Sequence, residues 1–481
     1  MSARRRLIAA AAALALLGGC TVGPDYVRPD GSAAASYAAP GDAPSPADQP
    51  LALGHEMEAR WWRRFGAPAL DAMVTEAFAG NQQVAAAQAR LDAAKEAVNV
   101  ARGTLLPEVS LGADVGRQKY GQALFGPAPF TIPAFTYYTI GPSARFPLDL
   151  FGGGRRAVEA KAAATEMRAA ELDAAYLSLA GGIVAEALQA AAAREERGVL
   201  EAVIADDERN VALVQKAVDI GSGTRTQLLT AQSQLAADRT LLPALRQQEA
   251  VARHALAILV GKAPAEWMPP ELALADFTLP GEIPASLPSE LARRRPDIRA
   301  AEAALHAASA GIGVATANLY PNIDLVGTLT QQALTPGALF EGGATAWSIA
   351  ANITQPLFDG GRRNAEKRAA MARYHEALAN YRQAILTAFQ DVADRLQALA
   401  NDADQLQAQD EATRTASAAL DLARRSYQAG NSGILDVLDA QRLYAQARSG
   451  LARARAQRLI DTVALYLALG GATYGEGVEG A

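Results

Sequence analysis

A single cysteine among 481 residues is the first limit on what this chain can do. Cys20 has no partner, so no intramolecular disulfide can staple the fold. The four histidines, His55, His254, His306 and His375, are scattered with no spacing that would seat a metal, and no metal or organic cofactor is expected. Aromatics make up only 6% of the chain, which suits closely packed alanine-rich helices better than a deep enzyme pocket. No nucleophile–base constellation is visible, so the chain is not read as an enzyme. The string GGGRR (Gly152 to Arg156) lacks a following Gly-Lys-Ser/Thr and is strand-to-helix turn chemistry, not a phosphate loop. A net charge of −6 argues against nucleic acid as a partner. After residue 20 no run is expected to be long and apolar enough for a transmembrane helix. If the chain crosses a membrane, β-strands must do it.

What is present begins with MSARRRLIAAAAALALLGGC. Arg4, Arg5 and Arg6 form a basic start, and Leu7 to Leu17 form an apolar stretch of export-signal length. Leu17-Gly18-Gly19-Cys20 resembles a bacterial lipobox, which implies that Cys20 carries a covalent lipid and becomes the mature N-terminus. Thr21 in place of aspartate favours sorting to the outer membrane in such lipoproteins. An acyl anchor tethers a protein without making a channel.

The chain is also written twice. LLPEVSL (Leu105 to Leu111) returns as LYPNIDL (Leu319 to Leu325), and FPLDLFGGGRR (Phe146 to Arg156) returns as TQPLFDGGRR (Thr354 to Arg363). GSGTRTQLLTAQSQL from Gly221 is echoed by GNSGILDVLDAQRLY from Gly430. In each copy apolar residues first alternate: Val109, Leu111, Ala113, Val115, then Tyr138, Ile140, Ala144, Phe146. The second copy alternates through Ile323, Leu325, Gly327, Leu329, then Trp347, Ile349, Ala351, Ile353. Each run has the length of a tilted membrane strand. Proline is then absent from Gly154 to Ile220 and again from Leu357 onward, which predicts very long helices that must be bundled. Gly221 and Gly223 in one copy, and Gly430 and Gly433 in the other, break these helices into hairpins. Trp61 and Trp62 read as packing residues. RRRPD (Arg293 to Asp297) reads as a solvated helix start with Pro296 in its first turn.

Four strands of membrane length cannot close a barrel, since closed barrels need at least about eight. An open sheet in lipid would leave unpaired backbone groups. A barrel shared between copies of the chain follows, from a dimer or a trimer; the count alone leaves both open.

These residues resemble the outer-membrane efflux protein family, the TolC-like ducts, and within it the lipidated, NodT-like branch that serves RND-type multidrug pumps. The likeness is carried by CTVGPDYVRP after the lipobox, RWWRRFGAPALDAMVTEAF, RRRPDIRAAEAALHAASAGIGVATANLYPNIDLVG and GILDVLDAQRLY, and spans nearly the whole mature chain. It implies a fold that is mainly α with a membrane β-barrel: a homotrimer sharing a twelve-stranded barrel that continues as a long periplasmic helical tunnel. The organisation implied is a signal peptide at 1–19, a lipidated tether at 20–60 and a first repeat at 61–263, with strands about 105–150 and helices about 154–262. An equatorial inter-repeat segment at 264–288 follows, then a second repeat at 289–471, with strands about 319–357 and helices about 361–470, and a flexible tail at 472–481.

The implied function is the outer-membrane exit duct of a tripartite efflux system for small molecules. Its implied partners are outer-membrane lipid, a periplasmic adaptor and an inner-membrane RND-type transporter. A type I protein-secretion duct is the alternative within the same fold; a helical spacer lipoprotein has no use for alternating strand pairs. The resemblance maps the family's constriction aspartates onto Asp436 and Asp439 and its gate tyrosine onto Tyr427. The two aspartates sit three apart, on one helix face, just after the second hairpin turn. Rings of such carboxylates around a narrow opening favour cations, although aspartate in a first helical turn also complements the helix dipole. The first copy has Gln227 and Thr230 at the equivalent positions, and Arg225 nearby is a candidate partner for an aspartate.

Overall fold

The computed structural model describes residues 21–29, 36–37, 39–55, 57–121 and 133–471. The signal peptide, Cys20 and the tail at 472–481 lie outside the described residues. Among these residues six strands and eight α-helices follow in chain order: β1 (Leu51–Leu53), α1 (Pro68–Gly80), α2 (Gln82–Gly103), β2 (Glu108–Gln118), β3 (Phe135–Leu148), α3 (Gly153–Asp219), α4 (Arg225–Val260), β4 (Ile283–Ala285), α5 (Pro288–Arg294), α6 (Pro296–Ala317), β5 (Asn322–Ala333), β6 (Thr345–Thr354), α7 (Arg362–Gln428) and α8 (Ile434–Ala468). Helices α3 and α7 are 67 residues each, the length that the missing prolines allow. The order helix, two strands, long helix, turn, helix occurs twice among these elements.

The chain divides into two compact units. The first comprises residues 1–29, 90–168 and 301–381. Its centre is a four-stranded antiparallel sheet in the order β2-β3-β5-β6. The second comprises 30–89, 169–300 and 382–481. Its core is built on Trp61, fully buried and stacked on Tyr466 at 5.4 Å between ring centroids, with Phe65 and Leu70 also fully buried. In the same unit β1 pairs with β4 in parallel.

Two expectations change. Arg295 of the RRRPD string is 8% exposed instead of solvated. Its guanidinium donates to the Ala468 carbonyl at 2.9 Å and pairs with Asp297 at 2.7 Å and Asp391 at 3.0 Å. A buried guanidinium keeps its charge by spending its donors on such partners. In addition, α3 does contain one 18-residue window apolar enough to cross a membrane, with mean hydropathy 1.3. Half of that window is buried within the protein, and the same helix carries the fully buried core residues Ile183, Val184 and Leu188.

Candidate functional site

In the first unit, period-two alternation sorts the sheet into two unlike faces. One row across all four strands reads Ser110, Ser143, Thr328, Ser348. Its hydroxyls pair between strands, Ser110 with Ser143 at 2.8 Å and Thr328 with Ser348 at 2.7 Å. On this same face Arg145 and Asp324 form an ion pair at 3.0 Å. The neighbouring row, on the opposite face, reads Val109, Ala144, Gly327, Ile349. With Leu111, Val115, Trp347 and Ile353 it makes an apolar surface: Trp347 is 72% exposed and Ile349 is 81% exposed. So much bare hydrocarbon on one sheet face demands a cover of lipid or protein. Among the described residues the outer strands β2 and β6 each have a strand neighbour on one side only, so one edge of each offers unpaired backbone donors and acceptors.

Beside the sheet's end the chain entry is clamped. Val22 N–H donates to the Phe151 carbonyl at 3.1 Å, and Thr21 packs so closely on Gly152 that any side chain there would collide with it. Tyr26 stacks on His306 at 4.4 Å, and His306 Nε2 contacts Glu159 at 3.1 Å. Arg156, only 4% exposed, pairs with both Glu159 and Asp25. Burial pushes the Tyr26 hydroxyl well above the usual tyrosine range. The strap is therefore fixed on α3 and α6 by stacking and ion pairs.

The hairpin turns lie in the second unit. Gly221 and Gly430 adopt left-handed φ of +79° and +74°, a conformation that ends each long helix at little cost only for glycine. Gly433 immediately precedes α8, whereas Gly223 lies two residues before α4, with Thr224 between them. In α4, Thr224 caps the helix: its hydroxyl accepts from Gln227 N–H at 3.2 Å, while Gln227 Oε1 accepts from Thr224 N–H at 2.9 Å. In α8, Asp436 does the job of Gln227, its carboxylate accepting from Gly433 N–H at 3.0 Å. Asp439 lies one turn on, 63% exposed, and pairs with Arg442 at 2.7 Å. Thr230 donates to the Thr226 carbonyl at 2.9 Å. Arg225 has no ion-pair partner among the described residues.

Tyr427 packs against a cluster of Val214, Ala231, Leu420, Ile434, Val437 and Leu438, which ties the two hairpin ends together. Farther along, a cleft of about 430 Å³ runs between α3, α4 and α8, lined by Leu200, Val203, Leu241, Leu245, Arg442 and Arg453. Among the described residues no cluster of three or more acidic, histidine or cysteine side chains could hold a metal. Sequence reasoning missed the strap clamp at Tyr26 and His306, two residues about 280 apart that share no local pattern.

The family described as "Outer membrane efflux protein" matches residues 73–262 and 287–471. The pyoverdine export outer membrane protein OpmQ of Pseudomonas aeruginosa is 34% identical over 417 residues, covering 86% of this chain and 87% of that protein. The toluene efflux pump outer membrane protein TtgC of Pseudomonas putida is 30% identical over 475 residues, covering 98% and 96%. The solved structure of the outer-membrane channel OprN superposes with a TM-score of 0.86 at 31% identity, over 94% of this chain and all of that one.

Proposed function

Because the chain belongs to the outer membrane efflux protein family, we propose that it is the outer-membrane exit duct of a tripartite system that exports small molecules. One observation carries this reading: a four-stranded sheet with one polar face, one bare apolar face and two open edges. In lipid such a sheet is unstable alone and stable as part of a closed barrel. Three copies would supply twelve strands, with the Ser110–Ser348 row facing a water-filled lumen and the Trp347–Ile349 surface facing lipid.

The remaining parts fit the same reading. The strap holds Thr21 against Phe151 and Gly152 at the end of the sheet, so a lipid on the preceding residue, Cys20, would have an anchor point beside the barrel's own lipid contact. At the other functional locus, Asp436 and Asp439 repeated in three copies would form the cation-favouring constriction, with Tyr427 packed behind it. The cleft between α3, α4 and α8 offers a helical periplasmic adaptor an apolar floor with arginine rims. An inner-membrane RND-type transporter would complete the path. The relatives named for pyoverdine and toluene export favour small molecules over secreted protein as cargo.

The test is a bilayer recording on detergent-extracted protein whose mass is measured in parallel. A particle of three chains with a small, cation-favouring conductance is expected. Monomeric particles that insert without conducting would sink the proposal.

A further inference from the structure

The polar face of the four-stranded sheet gathers its charge at one end. Four charged residues stand on that face: Glu108 and Asp114 of β2, Arg145 of β3 and Asp324 of β5. Three of them converge where the strands join the helices. Glu108 opens β2 directly opposite Arg145, and Arg145 reaches diagonally across the β3–β5 seam to Asp324. Its Nε donates to one carboxylate oxygen at 3.3 Å and its Nη2 to the other at 3.0 Å. Asn322 donates to the same carboxylate at 3.1 Å, and Asn352 of β6 lies opposite Asp324.

A bidentate fork of this kind fixes the direction of the guanidinium as well as holding it. Only one edge of the fork is spent on Asp324, and the Arg145 side chain remains 62% exposed. Glu108 is exposed and makes no ion pair among the described residues, so its carboxylate adds charge without holding the pair. Toward the other end of the sheet the next row is Ser110, Ser143, Thr328 and Ser348, and beyond it Gly112 faces Gly141. Short side chains leave the face low there, so the charged belt stands above its neighbours.

We infer that Glu108, Arg145 and Asp324 form a charge filter for the exported molecules, separate from the hairpin aspartates. This rests on the duct reading above, in which the polar face lines a water-filled lumen shared by three copies. Each copy then adds two carboxylates and one guanidinium, which makes a ring of net negative charge. Such a ring favours cationic cargo over anionic cargo of the same size. Arg145 sets how strongly. It halves the net charge that the carboxylates alone would give, so the ring attracts cations without trapping them.

The experiment compares cation and anion permeability, from reversal potentials of purified channels in bilayers under a salt gradient. The hairpin aspartates stay unchanged in every variant. Glu108→Gln removes a negative charge, leaves the Arg145–Asp324 bond intact, and should lower the preference for cations. Arg145→Gln removes the positive charge and should raise it. Each shift should reach at least about twofold near 0.01 M salt, where screening extends to about 30 Å, and should fade at 1 M, where it extends to about 3 Å. A bond that merely fastened the seam would not move the ratio in opposite directions. Arg145→Asp with Asp324→Arg exchanges the pair at constant net charge and should keep the parental ratio. Should Arg145→Gln fail to assemble, a fall with Glu108→Gln and no change with the exchange carry the same conclusion. Conducting channels whose ratio stays fixed, or moves the same way in both single variants, would overturn the filter and leave the duct standing. A parent protein that inserts without conducting would instead fail the duct reading, and the filter with it.

Discussion

Asp402 on α7 lies against Asp461 on α8, each only 8% exposed, so two carboxyl groups share one dry site. Asp461 accepts from Gln457 at 2.6 Å and from Arg395 at 3.4 Å, whereas Oδ2 of Asp402 finds no donor among the described residues. Burial, reinforced by the negative charge of Asp461, pushes Asp402 up to about 7. Asp207, 3% exposed and beside Asp238, is raised to about 7 for the same reasons.

A raised carboxyl pKa sets the sign of the pH dependence. The folded state holds a proton that the unfolded chain has already released, so this contribution is complete below the ordinary aspartate pKa of 3.8 and is lost as pH rises to about 7. Thermal unfolding at pH 5.5 should therefore occur at a higher temperature than at pH 7.5, with a limit of about 1.4 kcal/mol per pH unit for one group. Asp402→Asn should reduce that slope, and adding Asp207→Asn should reduce it further. A slope unchanged in the double variant would show that neither carboxyl holds the proton.

Arg295 offers a second test of buried charge. Removing it with Arg295→Ala leaves the Ala468 carbonyl without its donor and Asp297 and Asp391 without their cation. A loss of about 3 kcal/mol is expected from a broken buried ion pair. Arg295→Lys should recover only part of it, because an ammonium cannot reproduce three directed contacts from one planar fork. Denaturant titration of the solubilised protein measures both; full recovery by lysine would mean that charge alone matters.

Gly261 is the place where backbone shape dictates residue type. Its φ is +84°, and a Cβ there would lie 2.1 Å from the Gly80 carbonyl oxygen. The ends of α1 and α4 meet at this point without room for a methyl group. Gly261→Ala should cost more than about 2 kcal/mol, combining left-handed strain with a backbone collision. Gly41→Ala, at φ +99° but in open space, serves as the control and should cost less.

The sequence made the strands, the long helices and the hairpin turns legible because each has a local period or a local break. Alternation gave both strand pairs, missing proline gave α3 and α7, and Gly221 and Gly430 stand where the helices end. What stayed hidden depends on neighbours distant in the chain. The apolar stretch of α3 looks the same on paper whether lipid or protein covers it. Arg295 reads as a surface charge until Asp391 and Ala468 fold around it. The pairing of Asp402 with Asp461 likewise needs two helices to meet.

At the hairpin tips, the two repeats separate what a cap requires from what charge contributes. Gln227 and Asp436 occupy equivalent positions and make the same bond, a side-chain oxygen accepting the backbone N–H three residues earlier. The neutral residue makes the same bond as the charged one, so the bond alone does not require a carboxylate in α8. Asp436→Gln places the first repeat's own residue at the second turn: it keeps the acceptor and removes the charge. Asp439 has no capping bond, so Asp439→Asn removes charge without touching the helix start. In single-channel recordings each variant should lower the preference for cations, and together they should raise conductance or abolish the preference. The unfolding temperature of each variant should stay close to that of the parent. Asp436→Ala, in contrast, should lose about 1 kcal/mol through the missing cap as well as the charge. A cation preference untouched by Asp436→Gln plus Asp439→Asn would make both aspartates helix-start residues and move the constriction elsewhere in the tunnel.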